Sequence, residues 1–284
     1  MKILALTDLT TLSKVGVLYS AKLSEALNAK LIVINVLTID KLSQMRSGFN
    51  FNDEIIKRQI KEREKECLRF MEEIRRETSC DLIIEVLVEK GGSFEETVNT
   101  FASLQRCDLI VMSTKGASGF KKSFLGSNAS AVIGDNSSIP VLTVPEFAFF
   151  KGLNDIVYAS DMNRLPEEIE KLLPLAKLFN ATIHVLNIYQ RDTIPKINEI
   201  TMTENLQNKF NYQKIDCIYI LNSDVKRGID QYLNGRNPDL IAMFSGKRNF
   251  FERIFKKSSS KEMVSNSNVP ILTYSSSNAN VLVR

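Results

Sequence analysis

The chain has 284 residues, of which 44% are hydrophobic and 25% are charged. This length predicts two domains, and the ordinary charge content argues against long disordered stretches. The net charge of +4 is too small to indicate a nucleic-acid-binding protein. The apolar runs are far shorter than the roughly 20 residues of a membrane span, and a strand-like run begins directly after Met1, so we expect a cytoplasmic protein without a membrane partner.

Cysteine and histidine usage limits the chemistry further. The cysteines Cys67, Cys80, Cys107 and Cys217 are widely spaced, which predicts reduced thiols rather than a disulfide framework or a zinc site. The single histidine, His184, lies in an apolar strand-like run and is expected to be a packed or edge residue.

Apolar periodicity in the first half of the chain alternates between strands and helices. Strands are predicted at residues 1–7, 31–37, 82–88, 108–112 and 140–144. Between them, helical spacing is found at 12–27, 52–77 and 93–104, and Ser93 and Glu96 form a predicted capping box at the start of the last. The charged run in the long middle helix is interpreted as a solvated face. This alternation predicts a parallel sheet covered by helices on both faces.

The second half repeats this order. Residues 155–161, 181–188, 239–243 and 269–273 resemble residues 2–8, 29–36, 108–112 and 139–143. Asp161 is the counterpart of Asp8, and only a short segment stands where the first half has its long charged helix. The repeat predicts two similar doubly wound α/β domains, at 1–147 and 152–284, each with a five-stranded parallel sheet. The apolar segment that joins them is expected to pack between the halves.

The loop after the fourth strand carries residues suited to ligand binding. It reads STKGASGFKKSFLGS, and Gly116, Gly119 and Gly126 allow the backbone to approach a ligand closely, while Ser127 begins a helix whose free amides suit a phosphate. In an open parallel sheet this loop and Asp8 emerge at the same edge. Together they indicate a nucleotide, although a glycine-containing loop alone is often a plain connection, and the dinucleotide and P-loop motifs are absent from the sequence.

These residues resemble the universal stress protein family, whose ATP-binding members carry an aspartate after the first strand and the pattern G-x2-G-x9-G-S/T after the fourth. Asp8 matches the aspartate, Gly116 the second glycine, and Gly126 with Ser127 the closing pair. Ser113 replaces the first glycine. The resemblance covers nearly the whole chain and implies the same fold in both halves, paired through their last strands, which would otherwise be exposed edges.

The resemblance implies that ATP is the cofactor. It leaves open whether Mg²⁺ binds with the ATP, and it assigns no metal ligand. The residues that it assigns to the nucleotide are Asp8, Val36, Ser113, Gly116, Gly126, Ser127 and Asn128. Asp8 and Val36 would lie on the adenine and ribose side, but a lone carboxylate such as Asp8 could also hold a metal ion or cap the next helix. Replacing Ser113 with glycine would tighten binding if the side chain crowds the ligand, and would weaken binding if its hydroxyl contacts the ligand.

The corresponding loop of the second half has lost the pattern. Phe244, Lys247 and Lys257 stand at the glycine positions and are interpreted as crowding the space that the phosphates need. The sequence therefore predicts one ATP per chain, in the first half. The basic residues of the second loop are interpreted as solvated, with an anion or partner surface as the alternative.

Two functions stay open at this point. The first is an ATP-binding stress-response or signalling module, and the second is a nucleotide-free scaffold that uses the same fold for dimerisation or interaction. The sequence carries no general base or metal cluster beyond Asp8, so no catalytic residue is predicted and hydrolysis would at most be slow. The sequence is compatible with a homodimer and does not determine the oligomeric state.

Overall fold

The computed structural model describes residues 1–38, 51–78, 82–89, 93–114, 132–133, 139–191, 198–245, 269–275 and 282. The strands of the first half are β1 (Lys2–Leu6), β2 (Lys30–Thr38), β3 (Leu82–Glu89), β4 (Leu109–Thr114) and β5 (Val141–Pro145), and its helices are α1 (Thr11–Leu27), α2 (Phe51–Glu77) and α3 (Phe94–Leu104). The strands of the second half are β6 (Asp155–Ala159), β7 (Thr182–Tyr189), β8 (Ile215–Leu221), β9 (Leu240–Ser245) and β10 (Ile271–Ser275), and its helices are α4 (Leu165–Phe179), α5 (Glu199–Phe210) and α6 (Val225–Leu233).

Within the described residues, these strands form one 10-stranded sheet in the order β3-β2-β1-β4-β5-β10-β9-β6-β7-β8. Neighbouring strands are parallel except β5 and β10, which run antiparallel with Leu142 opposite Leu272. Each half therefore has the same strand order, and the last strands pair as predicted. The predicted α/β fold is confirmed, but the two parallel sheets are continuous rather than separate, because this pairing satisfies two edges that would otherwise be open.

Helices cover both faces of the sheet, as a largely parallel sheet requires. In β1, Ile3 and Ala5 pack with α1 and α2, whereas Leu4 and Leu6 pack with α3. The apolar cluster on the α1 face continues into the second half, where Tyr158 of β6 packs with α4. Helices thus pack on both faces of the first half's sheet, and the loops that follow β1 and β4 lie at its carboxyl edge.

The apolar segment that joins the halves packs between them through one ring. The ring of Phe150 lies edge to face with Tyr19 of α1, at 5.4 Å, and with Phe179 of α4, at 5.9 Å. Phe147 and Phe149 are exposed. The expected packing is therefore confirmed for Phe150 and wrong for the two exposed rings, because side chains along this segment alternate between core and solvent.

The capping box and the packed histidine that the sequence predicts are both present. The capping box of α3 is present, with the hydroxyl of Ser93 accepting from the amide of Glu96 and the carboxylate of Glu96 accepting from the amide of Ser93. His184 is half-buried in β7, and its Nε2 lies 2.9 Å from Oδ1 of Asp155, as expected of a packed histidine. No helix in the described part of the chain is long and apolar enough to span a membrane.

Candidate functional site

The predicted site lies where β2, β1 and β4 end side by side. The parallel register of β1 with both neighbours brings Asp8, Val36 and Ser113 to the same carboxyl edge of the sheet. Val36 is half-buried and packs against the core beneath α3. The other predicted site residues lie outside the described residues: Gly116, Gly126, Ser127 and Asn128.

Asp8 holds an exposed carboxylate at this edge. Its Oδ1 accepts hydrogen bonds from the amide of Thr10 at 3.0 Å and from the hydroxyl of Thr10 at 2.5 Å. Burial acts to raise the pKa of Asp8, but the hydrogen bonds from Thr10 and Ser13 outweigh it and hold the pKa below its ordinary value. Asp8 is therefore ionised at neutral pH. It does not cap α1, because Thr10 is the cap and accepts from the amide of Ser13.

The loop that carries Asp8 has a constrained backbone. Leu9 adopts the left-handed conformation with a φ of 65°, which is uncommon for a residue other than glycine. Its amide donates to the hydroxyl of Thr7 at 3.0 Å. The second half repeats this arrangement, with Met162 at the same φ and its amide donating to the hydroxyl of Ser160 at 3.0 Å. The loop shape alone therefore does not distinguish the two halves.

A network of buried hydroxyl groups lies beneath the Asp8 loop, and the sequence analysis missed it. The hydroxyl of Thr7 lies 2.9 Å from that of Ser13, which in turn donates to the carbonyl of Thr10 at 3.0 Å. Asn35 of β2 donates to the carbonyl of Thr7 at 2.8 Å. The repeated asparagine at the end of the second strand of each half, Asn35 and Asn187, was the signal in the sequence that could have revealed this layer.

Ser113 lies inside β4 rather than in the loop that was predicted to begin there, because the strand continues to Thr114. Its Oγ accepts a hydrogen bond from the amide of Gly16 at 3.0 Å and donates a long one to the carbonyl of Ser13 at 3.5 Å. A Cβ built at Gly16 would lie 2.2 Å from this Oγ. The hydroxyl of Ser113 is therefore directed at α1, and this contact requires glycine at position 16.

The counterpart of Ser113 in the second half fills the same face with an aromatic ring. Phe244 is buried, its ring stacks on Tyr274 with centroids 4.6 Å apart, and it lies edge to face with Tyr158 at 5.6 Å. The interpretation that Phe244 crowds the phosphates is thus corrected, because β9 continues to Ser245 and the ring points into the core. The other two residues at glycine positions, Lys247 and Lys257, lie outside the described residues.

A half-buried acidic residue accompanies this aromatic cluster. The hydroxyl of Tyr158 donates to the carboxylate of Glu168 at the start of α4. Burial raises the pKa of Glu168, although the hydrogen bond from Tyr158 acts in the opposite direction.

Among the residues whose positions are described, no group of three or more histidine, cysteine or acidic side chains is arranged to hold a metal ion.

Comparison with known proteins agrees with this architecture. A model of the universal stress protein family matches residues 1–145. Universal stress protein MJ0531 of Methanocaldococcus jannaschii is 29% identical over 143 residues, which cover 50% of this chain and 81% of that protein.

Solved structures extend the likeness to both halves. A universal stress protein from Archaeoglobus fulgidus superposes with a TM-score of 0.67 at 15% identity, covering 96% of this chain and 98% of that one. A putative universal stress protein from Pseudomonas aeruginosa gives a TM-score of 0.55 at 12% identity, covering 96% of this chain and 92% of that one. Fold and topology therefore define a doubly wound α/β protein whose strand order recurs in both halves. The chain belongs to the universal stress protein family.

Proposed function

We propose that this protein is an ATP-binding stress-response or signalling module in which the first half alone holds the nucleotide. The observation that carries the proposal is the position of Asp8: an exposed, ionised carboxylate at the edge where β1, β2 and β4 end together. The loop that follows β4 leaves from this same edge and keeps Gly116, Gly126 and Ser127 of the family's ATP-binding pattern, with Ser113 in place of the first glycine.

The residues at this edge fit the parts of an adenine nucleotide. The carboxylate of Asp8 is a hydrogen-bond acceptor for the adenine amino group or the ribose hydroxyls, and Val36 offers an apolar surface beside it. Gly116, Gly126, Ser127 and Asn128 would supply backbone amides and small polar side chains to the ribose and phosphates. A bound nucleotide would supply the negative charge and shape that a partner protein could recognise.

The contrast between the two halves supports a single site. Both keep an aspartate whose Oδ1 accepts from an amide two residues on, Thr10 in the first half and Asn163 in the second, each at 3.0 Å. They differ at the ends of β4 and β9, where the hydroxyl of Ser113 is replaced by the buried ring of Phe244. In the second half, the loop after β9 thus lacks the glycine pattern, and the buried ring of Phe244 replaces the hydroxyl at the end of the preceding strand.

A nucleotide-free scaffold is the second candidate. It is favoured by the replacement of the first glycine of the family pattern by Ser113, whose hydroxyl is directed at α1. Within the chain, the antiparallel pairing of β5 with β10 joins the two halves through their last strands. Because that pairing already uses both last-strand edges, a homodimer would have to form through another surface. The chain could present such a surface without any nucleotide.

Hydrogen exchange with and without ATP tests the proposal. We expect ATP to slow exchange in residues 8–16 and in the loop at 113–128, because the nucleotide would contact both. The matched control segments are residues 161–169 and 245–258 of the second half, where exchange should not change. Unchanged exchange throughout the first half at saturating ATP would favour the scaffold.

A further inference from the structure

We infer that Ser113 is a positioning residue for the nucleotide site: its hydroxyl ties the end of β4 to α1 and, through Ser13, to the loop that carries Asp8. This inference rests on the proposed function, since it concerns the same site. It assigns to Ser113 a role through other residues rather than direct contact with the ligand.

The first link joins β4 to α1. The Oγ of Ser113 accepts from the amide of Gly16 at 3.0 Å and donates to the carbonyl of Ser13 at 3.5 Å. Both partners are main-chain groups in the first turns of α1, and the contact is close because Gly16 has no Cβ. The hydroxyl therefore fixes the separation between the helix start and the strand from which the glycine loop leaves.

The second link joins Ser13 to Asp8. The amide of Ser13 donates to the hydroxyl of Thr10 at 3.3 Å, and the hydroxyl of Ser13 donates to the carbonyl of Thr10 at 3.0 Å. Thr10 in turn donates to Asp8 through both its amide and its hydroxyl. An unbroken series of hydrogen bonds thus runs from Ser113 to the carboxylate of Asp8.

Such a series has a physical consequence for ligand binding. The inner members of the series, Ser13 and Thr7, are buried and hydrogen-bonded to each other, whereas Thr10 and Asp8 lie at the surface. Buried hydrogen-bonded groups make the structure around them rigid. Leu9, held in the left-handed conformation next to Asp8, persists only if its neighbours hold it there. A carboxylate that is already oriented before the ligand arrives loses less freedom on binding, so the network should strengthen nucleotide binding.

The second half provides an internal comparison. It keeps the same loop around Asp161, but Pro166 stands where the first half has Ser13, and Phe244 stands where it has Ser113. Neither residue can provide a hydroxyl, so this series of hydrogen bonds is a property of the first half. The hydrogen-bond series is therefore found in the same half to which we assign the nucleotide.

Two variants separate the hydrogen bond from simple space filling. Ser113→Ala removes the hydroxyl, whereas the double variant Gly16→Ala with Ser113→Gly places a methyl carbon close to the former oxygen without restoring the bond. We expect both to raise the dissociation constant for ATP, measured by calorimetry, by roughly tenfold. Exchange of the amides of Leu9 and Gly16 should become faster in both variants. The double variant should unfold near the wild-type midpoint, because its packing is restored.

Thr143→Val is the matched control, because it removes another buried strand hydroxyl, whose bond to the carbonyl of Ile271 lies outside the network. It should leave the ATP dissociation constant unchanged. Wild-type affinity in both Ser113 variants would overturn the inference. If the wild type itself binds no ATP, the proposed function fails, and exchange alone decides whether Ser113 holds the Asp8 loop in place: faster exchange of Leu9 and Gly16 in Ser113→Ala supports that link, and unchanged exchange overturns it.

Discussion

The main-chain amide of Gly16 in α1 donates a hydrogen bond to the hydroxyl of Ser113 in β4 at 3.0 Å. The two residues depend on each other, because a Cβ at position 16 would lie 2.2 Å from that oxygen. Alanine is ordinarily the better helix former by about 1 kcal/mol. We nevertheless expect Gly16→Ala to lower the free energy of unfolding by about 1–3 kcal/mol, as overpacking does.

A double-mutant cycle in urea tests this relationship. Ser113→Gly should remove most of the loss caused by Gly16→Ala, so the two changes should couple by about 1 kcal/mol or more. Additive effects of the two substitutions on the free energy of unfolding would contradict the contact.

The aromatic cluster of the second half predicts a larger effect. Phe244→Ala should lower the free energy of unfolding by about 3–5 kcal/mol, because it leaves a cavity between Tyr158 and Tyr274. Phe149→Ala is the matched control, since that ring is 66% exposed and its loss should change stability by no more than about 0.5 kcal/mol. Equal effects of the two substitutions in urea unfolding would show that Phe244 is not a core residue.

Side chains of α5 cover the edge strand β8. The hydroxyl of Thr203 accepts from the amide of Cys217 at 2.9 Å, and the carboxylate of Glu199 accepts from the amide of Tyr219 at 2.5 Å. Such cover protects an edge from pairing with another chain. Thr203→Val keeps the shape but removes the acceptor, so hydrogen exchange at the amide of Cys217 should become faster. The exposed Thr201→Val on the same helix should have no effect, and unchanged exchange in both variants would contradict the contact.

Sequence periodicity predicted the fold well because most strands are separate apolar runs, but it did not locate β8 and it placed the end of β4 incorrectly. Ser113 and Thr114 are polar and read as loop, yet both pair with residues of β5 and extend the strand. Pairing of this kind depends on a partner strand and leaves no trace in the run itself. Parallel topology also predicted that the chain after β1 and the chain after β4 leave from one edge of the sheet, and the strand register confirms this for Asp8 and the end of β4.

The hydroxyl network could not be predicted in the same way. Ser113 and Gly16 are 97 positions apart, and the contact depends on how closely α1 approaches β4. Serine, threonine and glycine near strand ends are common in turns, so their presence alone does not indicate a buried network. Only the packing of the helix on the sheet shows that their polar groups meet.

Burial of Glu168 predicts a pH-dependent stability. Its pKa is raised above 4.5 in the folded protein, so its contribution is fully present below pH 4.5 and is lost as the pH rises through the folded pKa. Glu168→Gln stays neutral and can still accept from Tyr158. It should therefore raise the free energy of unfolding at about pH 8 more than at about pH 5. The exposed Glu170→Gln is the control, and the same pH dependence in both variants would contradict the assignment.

Calorimetric titration with ATP of the wild type and two lysine variants tests directly whether the first half holds a nucleotide. Gly126→Lys places a long side chain beside the proposed phosphate position in the first half, and Gly246→Lys makes the same change in the loop of the second half. We expect one ATP per wild-type chain, no binding by Gly126→Lys, and wild-type binding by Gly246→Lys. Equal ATP binding by the wild type and Gly126→Lys would contradict a nucleotide site in the first half.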